Sequence, residues 1–166
     1  MGILIQGGRV VDAASQMDKI ADVYLDGCVI QEIGEKLKVK DKDDRIIDAR
    51  GMVVMPGLVD LHVHFRDPGQ TEKEDIESGS KAAARGGVTT VVAMPNTTPV
   101  IDCPDRANYV KNKAAQVSPI HVLQAGAMTK GELGCELSDI AGMAAAGVPV
   151  LSEDGKSVMK ASLCKQ

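Results

Sequence analysis

From Pro56 onward, short apolar runs alternate with longer segments of helical character, and this alternation constrains the fold more than any other feature. Strands that alternate with helices form a parallel sheet, which is either open or closed into a barrel. A complete (β/α)8 barrel takes about 250 residues, so a segment of about 110 residues corresponds to roughly the first half of one. The predicted strands are residues 58–64, 88–94, 120–125 and 148–151.

Glycine, proline and capping residues set the predicted ends of the helices between these strands. Thr71 and Glu74 form a capping box, which opens a helix that stops at Gly86. Pro104 suits the first position of a helix, and Gly147 suits the residue that follows one. The predicted helices are residues 71–85, 104–117 and 136–146, with a fourth opening over 156–163.

The residues before Pro56 form short β-branched runs that are cut by glycine and aspartate. Asp26-Gly27 is a strong signal for a tight hairpin, and the charge-rich stretch 36–45 fits a solvated edge or loop. We therefore predict an α/β protein with two domains. Residues 1–55 form a small β-domain, and residues 56–166 form a partial (β/α)8 TIM-type barrel, truncated after its fourth strand.

The charge balance argues against two classes of partner. A net charge of −4, from 19 basic and 23 acidic residues, provides no positive field for nucleic acid or for an anionic membrane. No apolar run approaches the roughly 20 residues that span a bilayer, and the amino terminus lacks the basic and long apolar regions of a signal peptide. We expect a cytoplasmic protein with neither a nucleic-acid nor a membrane partner.

The four cysteines lie far apart along the chain and form no C-x-x-C pair; they are Cys28, Cys103, Cys135 and Cys164. This spacing argues against a zinc ribbon and against a disulfide-bonded secreted scaffold. We expect reduced thiols, most of them buried.

Two of the three histidines, His62 and His64, stand one residue apart at the end of the first predicted barrel strand. Because side chains alternate across a strand, both point to the same side and can bind one metal ion. Parallel α/β proteins bind ligands at the carboxyl ends of their strands, and neutral imidazole suits zinc and its first-row neighbours. On this pair alone, ordinary polar packing is an equal alternative.

Polar residues recur at the ends of other predicted strands. Asn96 follows the second strand, and Glu153 and Asp154 follow the fourth. Several polar strand ends on one rim are typical of a barrel active site, although each of these residues alone could be an ordinary turn former. Arg66, just past the histidine pair, is either a surface charge or, beside a metal, a fork that holds a carboxylate through two hydrogen bonds.

These residues resemble those of the dihydroorotase family, of the bacterial metal-dependent type, within the amidohydrolase superfamily. The resemblance covers the whole chain, including the small β-domain. Arg66 and the run Pro95-Asn96-Thr97 distinguish dihydroorotases from most hydantoinases and allantoinases. The matching segments are residues 55–69, 86–90, 94–100 and 152–155.

The resemblance implies a zinc enzyme of pyrimidine biosynthesis, with one or two Zn²⁺ ions, that interconverts N-carbamoyl-L-aspartate and L-dihydroorotate. It implies that His62 and His64 are ligands of the first metal. Asp154 is implied as the carboxylate ligand that takes the place of a carbamylated lysine and can bridge two metals. Arg66 and Asn96 are implied to bind the substrate carboxylate.

The same resemblance implies that part of the catalytic machinery lies on strands beyond the fourth. The later histidine ligands and the general acid/base are expected beyond Gln166, so no catalytic residue is identified within the chain. His121 starts the third predicted strand, at the wrong end of the barrel for the metal, and we interpret it as structural. We expect the chain alone to be an inactive fragment.

Two other functions stay open. One is a different cyclic-amide hydrolase, such as an allantoinase or a hydantoinase. The other is a non-catalytic dihydroorotase-like subunit that scaffolds aspartate transcarbamoylase, although retention of the three metal ligands argues against it. The partners to consider are the small-molecule substrate, a second copy in a homodimer, and aspartate transcarbamoylase.

Overall fold

The computed structural model describes residues 1–165, so the last residue of the predicted second domain, Gln166, lies outside this range. The chain divides into two units, of which the first is Met1–Pro56 and the second starts at Gly57. Within the described residues, no helix has both the length and the apolar character that crossing a membrane requires.

The first unit is a five-stranded sheet. Its strands are β1 (Gly2–Asp12), β2 (Met17–Asp26), β3 (Val29–Gly34), β4 (Arg45–Asp48) and β5 (Val53–Val54). The strand order is β3-β2-β1-β4, and β5 also pairs with β1. The first three strands are antiparallel, whereas β4 and β5 run parallel to β1. Gly27, at φ 59°, makes the tight turn that the sequence predicts.

Asp44 organises the charge-rich loop of the first unit. Its carboxylate accepts hydrogen bonds from the Tyr24 hydroxyl at 2.7 Å and from the N–H groups of Gly2, Lys40 and Asp41 at 2.6, 3.0 and 2.9 Å. These donors hold the pKa of Asp44 well below its usual range, and the Tyr24 hydroxyl has the largest effect. The same contact raises the pKa of Tyr24 to about 12. The loop is therefore built around one carboxylate.

The second unit is a parallel β/α sheet, which confirms the predicted α/β class. Its strands are β6 (Leu58–Val63), β7 (Val88–Ala93) and β8 (His121–Gln124), in the order β6-β7-β8. Its helices are α1 (Ile76–Arg85), α2 (Pro104–Val117), α3 (Ile140–Ala145) and α4 (Ala161–Cys164). A short 3₁₀ turn, Lys130–Glu132, lies between β8 and α3.

The main core of the second unit lies between the sheet and its first two helices. Val91 of β7 and Ile76 of α1 are fully buried, and Val110 of α2 is 1% exposed. Val92 and Met94 belong to a separate small cluster because side chains alternate across the strand. The helices thus cover one face of the sheet, and the polar residues of interest follow the carboxyl ends of its strands.

The predicted start of the first helix is wrong. α1 begins at Ile76, and its N-cap is Asp75, whose side chain accepts a hydrogen bond from the Ser78 N–H at 2.7 Å. Glu74, instead of completing a box with Thr71, accepts a hydrogen bond from the Asp75 N–H at 3.0 Å. Threonine and aspartate are both good caps, and the one next to the buried Ile76 prevails.

The third predicted helix is also shorter than expected. It begins at Ile140 rather than Glu136, and its cap is Asp139, which accepts a hydrogen bond from the Gly142 N–H at 2.9 Å. The fourth helical segment, predicted over 156–163, is limited to the four residues of α4.

The predicted fourth strand is reduced to one parallel bridge, between Gly126 and Leu151. The Gly126 N–H donates to the Val150 carbonyl at 3.0 Å, and the Ser152 N–H donates to the Gly126 carbonyl at 2.9 Å. Pro149 has no N–H with which to extend this ladder toward the amino end. The bridge still places the residues after Leu151 beside the chain that leaves β8.

The expectation that most cysteines are buried is wrong. Cys28, Cys135 and Cys164 are exposed, and Cys103 is partly buried; all four are free thiols. The three exposed residues lie in a hairpin turn, in a loop and in the short last helix, where little chain packs over them.

Candidate metal centre

The three predicted metal ligands converge at the carboxyl edge of the parallel sheet. Asp154 Oδ1 lies 3.0 Å from His62 Nε2 and 3.8 Å from His64 Nε2. One ligand atom from each residue lies within 4.8 Å of the other two. Ligand atoms about 2.0–2.2 Å from a tetrahedral zinc ion are about 3.3–3.6 Å from one another. The group therefore has the size and the donor chemistry of a divalent metal site.

An interruption of the β6–β7 ladder lies beside the two histidines. The pairing register shifts between Asp60 and Val63, and the His62 N–H bonds the Asp60 carboxylate at 3.1 Å. Regular pairing resumes where the Val63 carbonyl accepts a hydrogen bond from the Met94 N–H at 2.9 Å. The two histidines do lie together, as their spacing predicts, although the backbone between them is less regular than a simple strand.

The three side chains differ in exposure. That of Asp154 is 10% exposed, that of His64 is 30% exposed, and that of His62 is 58% exposed. Asp154 has a φ of 38°, in the left-handed region that aspartate tolerates better than most residues. The carboxylate is thus held inside the protein, while the His62 side stays open to solvent, as an exchangeable ligand position requires.

Asn96 connects two of these residues. The His64 Nδ1–H donates to Asn96 Oδ1 at 3.0 Å, and Asn96 Nδ2 donates to the Asp154 carboxylate. An amide oxygen can only accept, so this pairing places the His64 proton on Nδ1 and leaves the lone pair of Nε2 available to a metal. In this structure Asn96 therefore orients two candidate ligands.

Arg66 stands apart from this group. It is partly buried, its φ is 58°, and its guanidinium makes no hydrogen bond or ion pair within residues 1–165. The structure does not bring it into hydrogen-bond contact with Asn96, the residue with which it is expected to share a carboxylate. A non-glycine residue at positive φ is uncommon and often marks a functional position.

The loop that carries Arg66 is hydrogen-bonded to the loop that carries Asn96. The Thr98 N–H donates to the Pro68 carbonyl at 3.1 Å, and Gln70 Nε2 donates to Thr98 Oγ1 at 3.1 Å. At Gly69, φ is 87°, and an added Cβ would lie 1.7 Å from the Thr98 carbonyl oxygen. Only glycine permits this close approach.

Asp67 is a residue whose role sequence reasoning missed. It is 2% exposed, and its carboxylate accepts a hydrogen bond from the Tyr109 hydroxyl at 3.0 Å and pairs with Lys113 Nζ at 2.5 Å. The hydrogen bond with Asp67 raises the pKa of Lys113. The available signal was the spacing of Tyr109 and Lys113, which puts them on one face of α2.

The burial of two further acids was not predicted. Glu153 and Glu132 are each 4% exposed. Glu153 accepts hydrogen bonds from the Met128 and Thr129 N–H groups, and Glu132 pairs with Lys156 Nζ at 3.3 Å. Burial raises the pKa of Glu132. In the sequence both glutamates stand in glycine-containing stretches that suggest solvated turns, so no local signal could have shown their burial.

His121, the third histidine, is the first residue of β8 and is exposed. It therefore lies at the end of its strand opposite to the metal-ligand group, which begins beyond the carboxyl ends.

A parallel β/α sheet with a His-x-His pair at the end of its first strand, and an aspartate after its fourth strand segment, has the arrangement of metal-dependent hydrolases of the amidohydrolase type. A family model described as Dihydro-orotase-like matches residues 51–166, and the chain belongs to this family.

Similar proteins agree with this assignment. The chain is 53% identical over 161 residues to a dihydroorotase of Clostridioides difficile (strain 630), covering 97% of this chain and 38% of the relative. It is 44% identical over 166 residues to a dihydroorotase of Ruminiclostridium cellulolyticum, covering 100% of this chain and 38% of the relative. The chain thus spans 38% of the length of these curated relatives.

Among solved structures, the L-hydantoinase (dihydropyrimidinase) of Arthrobacter aurescens matches with a TM-score of 0.68 at 28% identity, covering 78% of this chain and 29% of that one. The predicted family resemblance is confirmed, as is the predicted α/β fold of a small β-domain followed by the first half of a TIM-type barrel.

Proposed function

We propose that these residues form the amino-terminal part of a zinc-dependent dihydroorotase, a cytoplasmic enzyme of pyrimidine biosynthesis that interconverts N-carbamoyl-L-aspartate and L-dihydroorotate. The observation that carries the proposal is the convergence of His62, His64 and Asp154, in a chain 53% identical to a curated dihydroorotase. In this proposal residues 1–55 are the small β-domain, and residues 56–166 supply strands 1–4 of the barrel.

The three converging side chains would hold one Zn²⁺ ion or the first of two. A bound divalent ion supplies Lewis-acid chemistry, which activates water and polarises the carbonyl of the scissile ring amide. His64 offers Nε2 because its Nδ1–H is bound to Asn96. Asp154 offers a largely desolvated carboxylate, which interacts with a cation more strongly than an exposed one does.

Arg66 would bind the substrate carboxylate. Its guanidinium has no protein partner within residues 1–165, and its loop is fastened to the loop of Asn96. Asn96 could join it through the second N–H of its Nδ2 group, because the bond to the Asp154 carboxylate uses only one of the two. Both substrates of the proposed reaction carry a carboxylate, whereas a neutral ring amide has none for Arg66 to bind.

The test uses the complete protein, expressed from the natural reading frame wherever that frame ends. The enzyme is assayed with dihydroorotate, hydantoin and allantoin at fixed zinc concentration. We expect the highest kcat/KM with dihydroorotate and the loss of both zinc and activity in His62→Ala. A preference for hydantoin or allantoin would contradict the proposed substrate while leaving the metal centre intact.

One observation favours a second candidate, a hydantoinase, because the L-hydantoinase structure matches this fold with a TM-score of 0.68. The sequence identity of that match is 28%, against 53% with the dihydroorotase of Clostridioides difficile. The fold is shared by both classes, so the higher identity favours dihydroorotase, as does Arg66, which has no side-chain partner within residues 1–165.

A further inference from the structure

The turn that carries Asp154 is anchored on its amino side by a buried glutamate. Glu153 accepts hydrogen bonds from the Met128 N–H at 2.9 Å, from the Thr129 N–H at 3.2 Å and from the Thr129 hydroxyl. Thr129 is fully buried, and its hydroxyl oxygen accepts a hydrogen bond from the Gly134 N–H at 2.9 Å. All of these partners belong to one segment, residues 128–134, which we call the anchor loop.

The same turn is anchored to the same loop on its carboxyl side. Lys156 Nζ lies 3.3 Å from Glu132 Oε2, and the Glu132 side chain is 1% exposed. The Lys156 N–H also donates to the Glu153 carbonyl at 3.0 Å, which closes the turn. Only two residues, Asp154 and Gly155, lie between the two anchored positions, so their backbone has little freedom.

Asp154 needs such support because of its backbone conformation. Its φ is 38°, a left-handed conformation that still costs energy for a non-glycine residue, although aspartate tolerates it better than most. Its N–H donates to Ser152 Oγ at 3.0 Å, within the turn itself. No member of the anchor loop is among the three converging ligands, so the loop supports them by holding the turn that carries Asp154.

We propose that Glu153 and Thr129 are positioning residues that hold Asp154 in the geometry of a metal ligand, with the Lys156–Glu132 pair as the second anchor. The inference rests on the proposed function in one respect, namely that Asp154 is a ligand. The buried hydroxyl of Thr129 fixes the Glu153 carboxylate, and the Glu153 backbone fixes the residue that follows it.

The experiment measures the Zn²⁺ affinity of the complete protein, expressed from the natural reading frame, by competition with a chromophoric chelator. Thr129→Val keeps the shape of the side chain and removes its hydroxyl. We expect it to bind Zn²⁺ about 10- to 100-fold more weakly than the unmodified chain, as is typical when the support of a metal ligand is lost. Thr129→Ser, which retains the hydroxyl, should recover most of the affinity.

Glu136→Gln is the matched control. Glu136 pairs with Lys130 in the same region, but both side chains are exposed, at 69% and 57%. Its removal should leave Zn²⁺ affinity unchanged. Lys156→Met, which leaves the buried Glu132 carboxylate without its cation, is a second variant that should bind Zn²⁺ several-fold more weakly, and its Tm is measured beside it to separate that loss from destabilisation.

His62→Ala separates failure of this inference from failure of the metal centre. If the unmodified complete protein takes up no Zn²⁺, or if His62→Ala binds it equally well, the proposed centre is wrong and this inference falls with it. If His62→Ala loses Zn²⁺ while Thr129→Val and Lys156→Met bind it normally, the centre stands and the positioning role is wrong. Affinity losses in Thr129→Val and Thr129→Ser that are equal and follow the Tm would also overturn it.

Discussion

At the scale of single residues, Arg66 separates the two candidate substrate classes. Its positive φ and unpaired guanidinium are costly features in a partly buried residue, and no contact within residues 1–165 compensates for them. A substrate carboxylate would supply the missing partner. Substitution of Arg66 should therefore affect substrate binding in a dihydroorotase but not in a neutral-ring amidase.

In the complete enzyme, Arg66→Met should weaken binding of N-carbamoyl-L-aspartate and of dihydroorotate by about 2–5 kcal/mol, because the carboxylate loses a charge-assisted partner in a partly desolvated site. Metal content should not change. Arg66→Lys should restore part of the loss, since an ammonium keeps the charge but not the planar fork. Steady-state KM values and metal analysis check this, and unchanged KM values would remove the carboxylate assignment.

Lys113→Met should destabilise the chain, because it leaves the Asp67 carboxylate, 2% exposed, with only the Tyr109 hydroxyl as a partner. We expect a loss of about 1–3 kcal/mol in the free energy of unfolding, as is typical when a buried polar group loses a partner. Lys81→Met is the control, because its pair with Glu77 is exposed and should contribute less than about 1 kcal/mol. Urea unfolding compares them, and equal losses would contradict the importance of Asp67.

The sequence predicts candidate ligands better than it predicts the residues that support them. His62 and His64 are recognisable from strand alternation, and Asp154 from the family resemblance, because these signals lie in consecutive residues. The burial of Thr129 and Asp67 is apparent only after folding, since each stands in a stretch that suggests an exposed turn and contacts a partner more than 20 residues away. The spacing of Tyr109 and Lys113 shows that they share a face of α2, but not which residue that face contacts.

At the scale of elements, the order and type of the strands and helices follow from the sequence, but several boundaries do not. Two aspartates, Asp75 and Asp139, cap helices that other residues were expected to open. Several residues near each helix start can serve as caps, and the choice depends on which following residue the core buries. The fourth strand is likewise limited to a single bridge at Leu151 because Pro149 has no N–H to donate. Hydrophobic periodicity does not reveal this missing donor.

The first sheet should be stabilised by Asp44 in a pH-dependent manner. Because the folded state lowers the pKa of Asp44, its contribution is complete above the ordinary pKa of an aspartate, about 4, and is lost as the pH falls below it. Asp44→Asn should therefore lower the Tm most at pH 7, and the difference should shrink progressively as the pH falls below about 4 toward the lowered pKa of the folded state. Asp43→Asn is the matched control, since the exposed Asp43 carboxylate accepts no hydrogen bond within residues 1–165. A difference between Asp44→Asn and the unmodified chain that does not change with pH would contradict this role.

At the scale of the whole molecule, the purified 166-residue chain should not hydrolyse dihydroorotate. A catalytic metal needs about three protein ligands, an exchangeable position and a nearby proton-transfer group. The chain provides three candidate ligands, and no general acid/base has been identified in it. Turnover by the zinc-loaded chain above that of the metal-free chain would show that these residues suffice.

The isolated chain should also self-associate, because β6 is the edge strand of its sheet and is largely uncovered. Within residues 1–165 it pairs only with β7, and Leu58, Val59 and Leu61 are 50%, 58% and 69% exposed. An apolar strand with an unpaired edge is a template for pairing with another chain.

Leu61→Lys should shift the chain toward a monomer by placing a charge on this edge. Leu133→Lys, at a loop position 73% exposed, is the control and should not. Light scattering coupled to gel filtration at micromolar concentration measures the mass, and a stable 17.5 kDa species in the unmodified chain would show that this edge does not drive association.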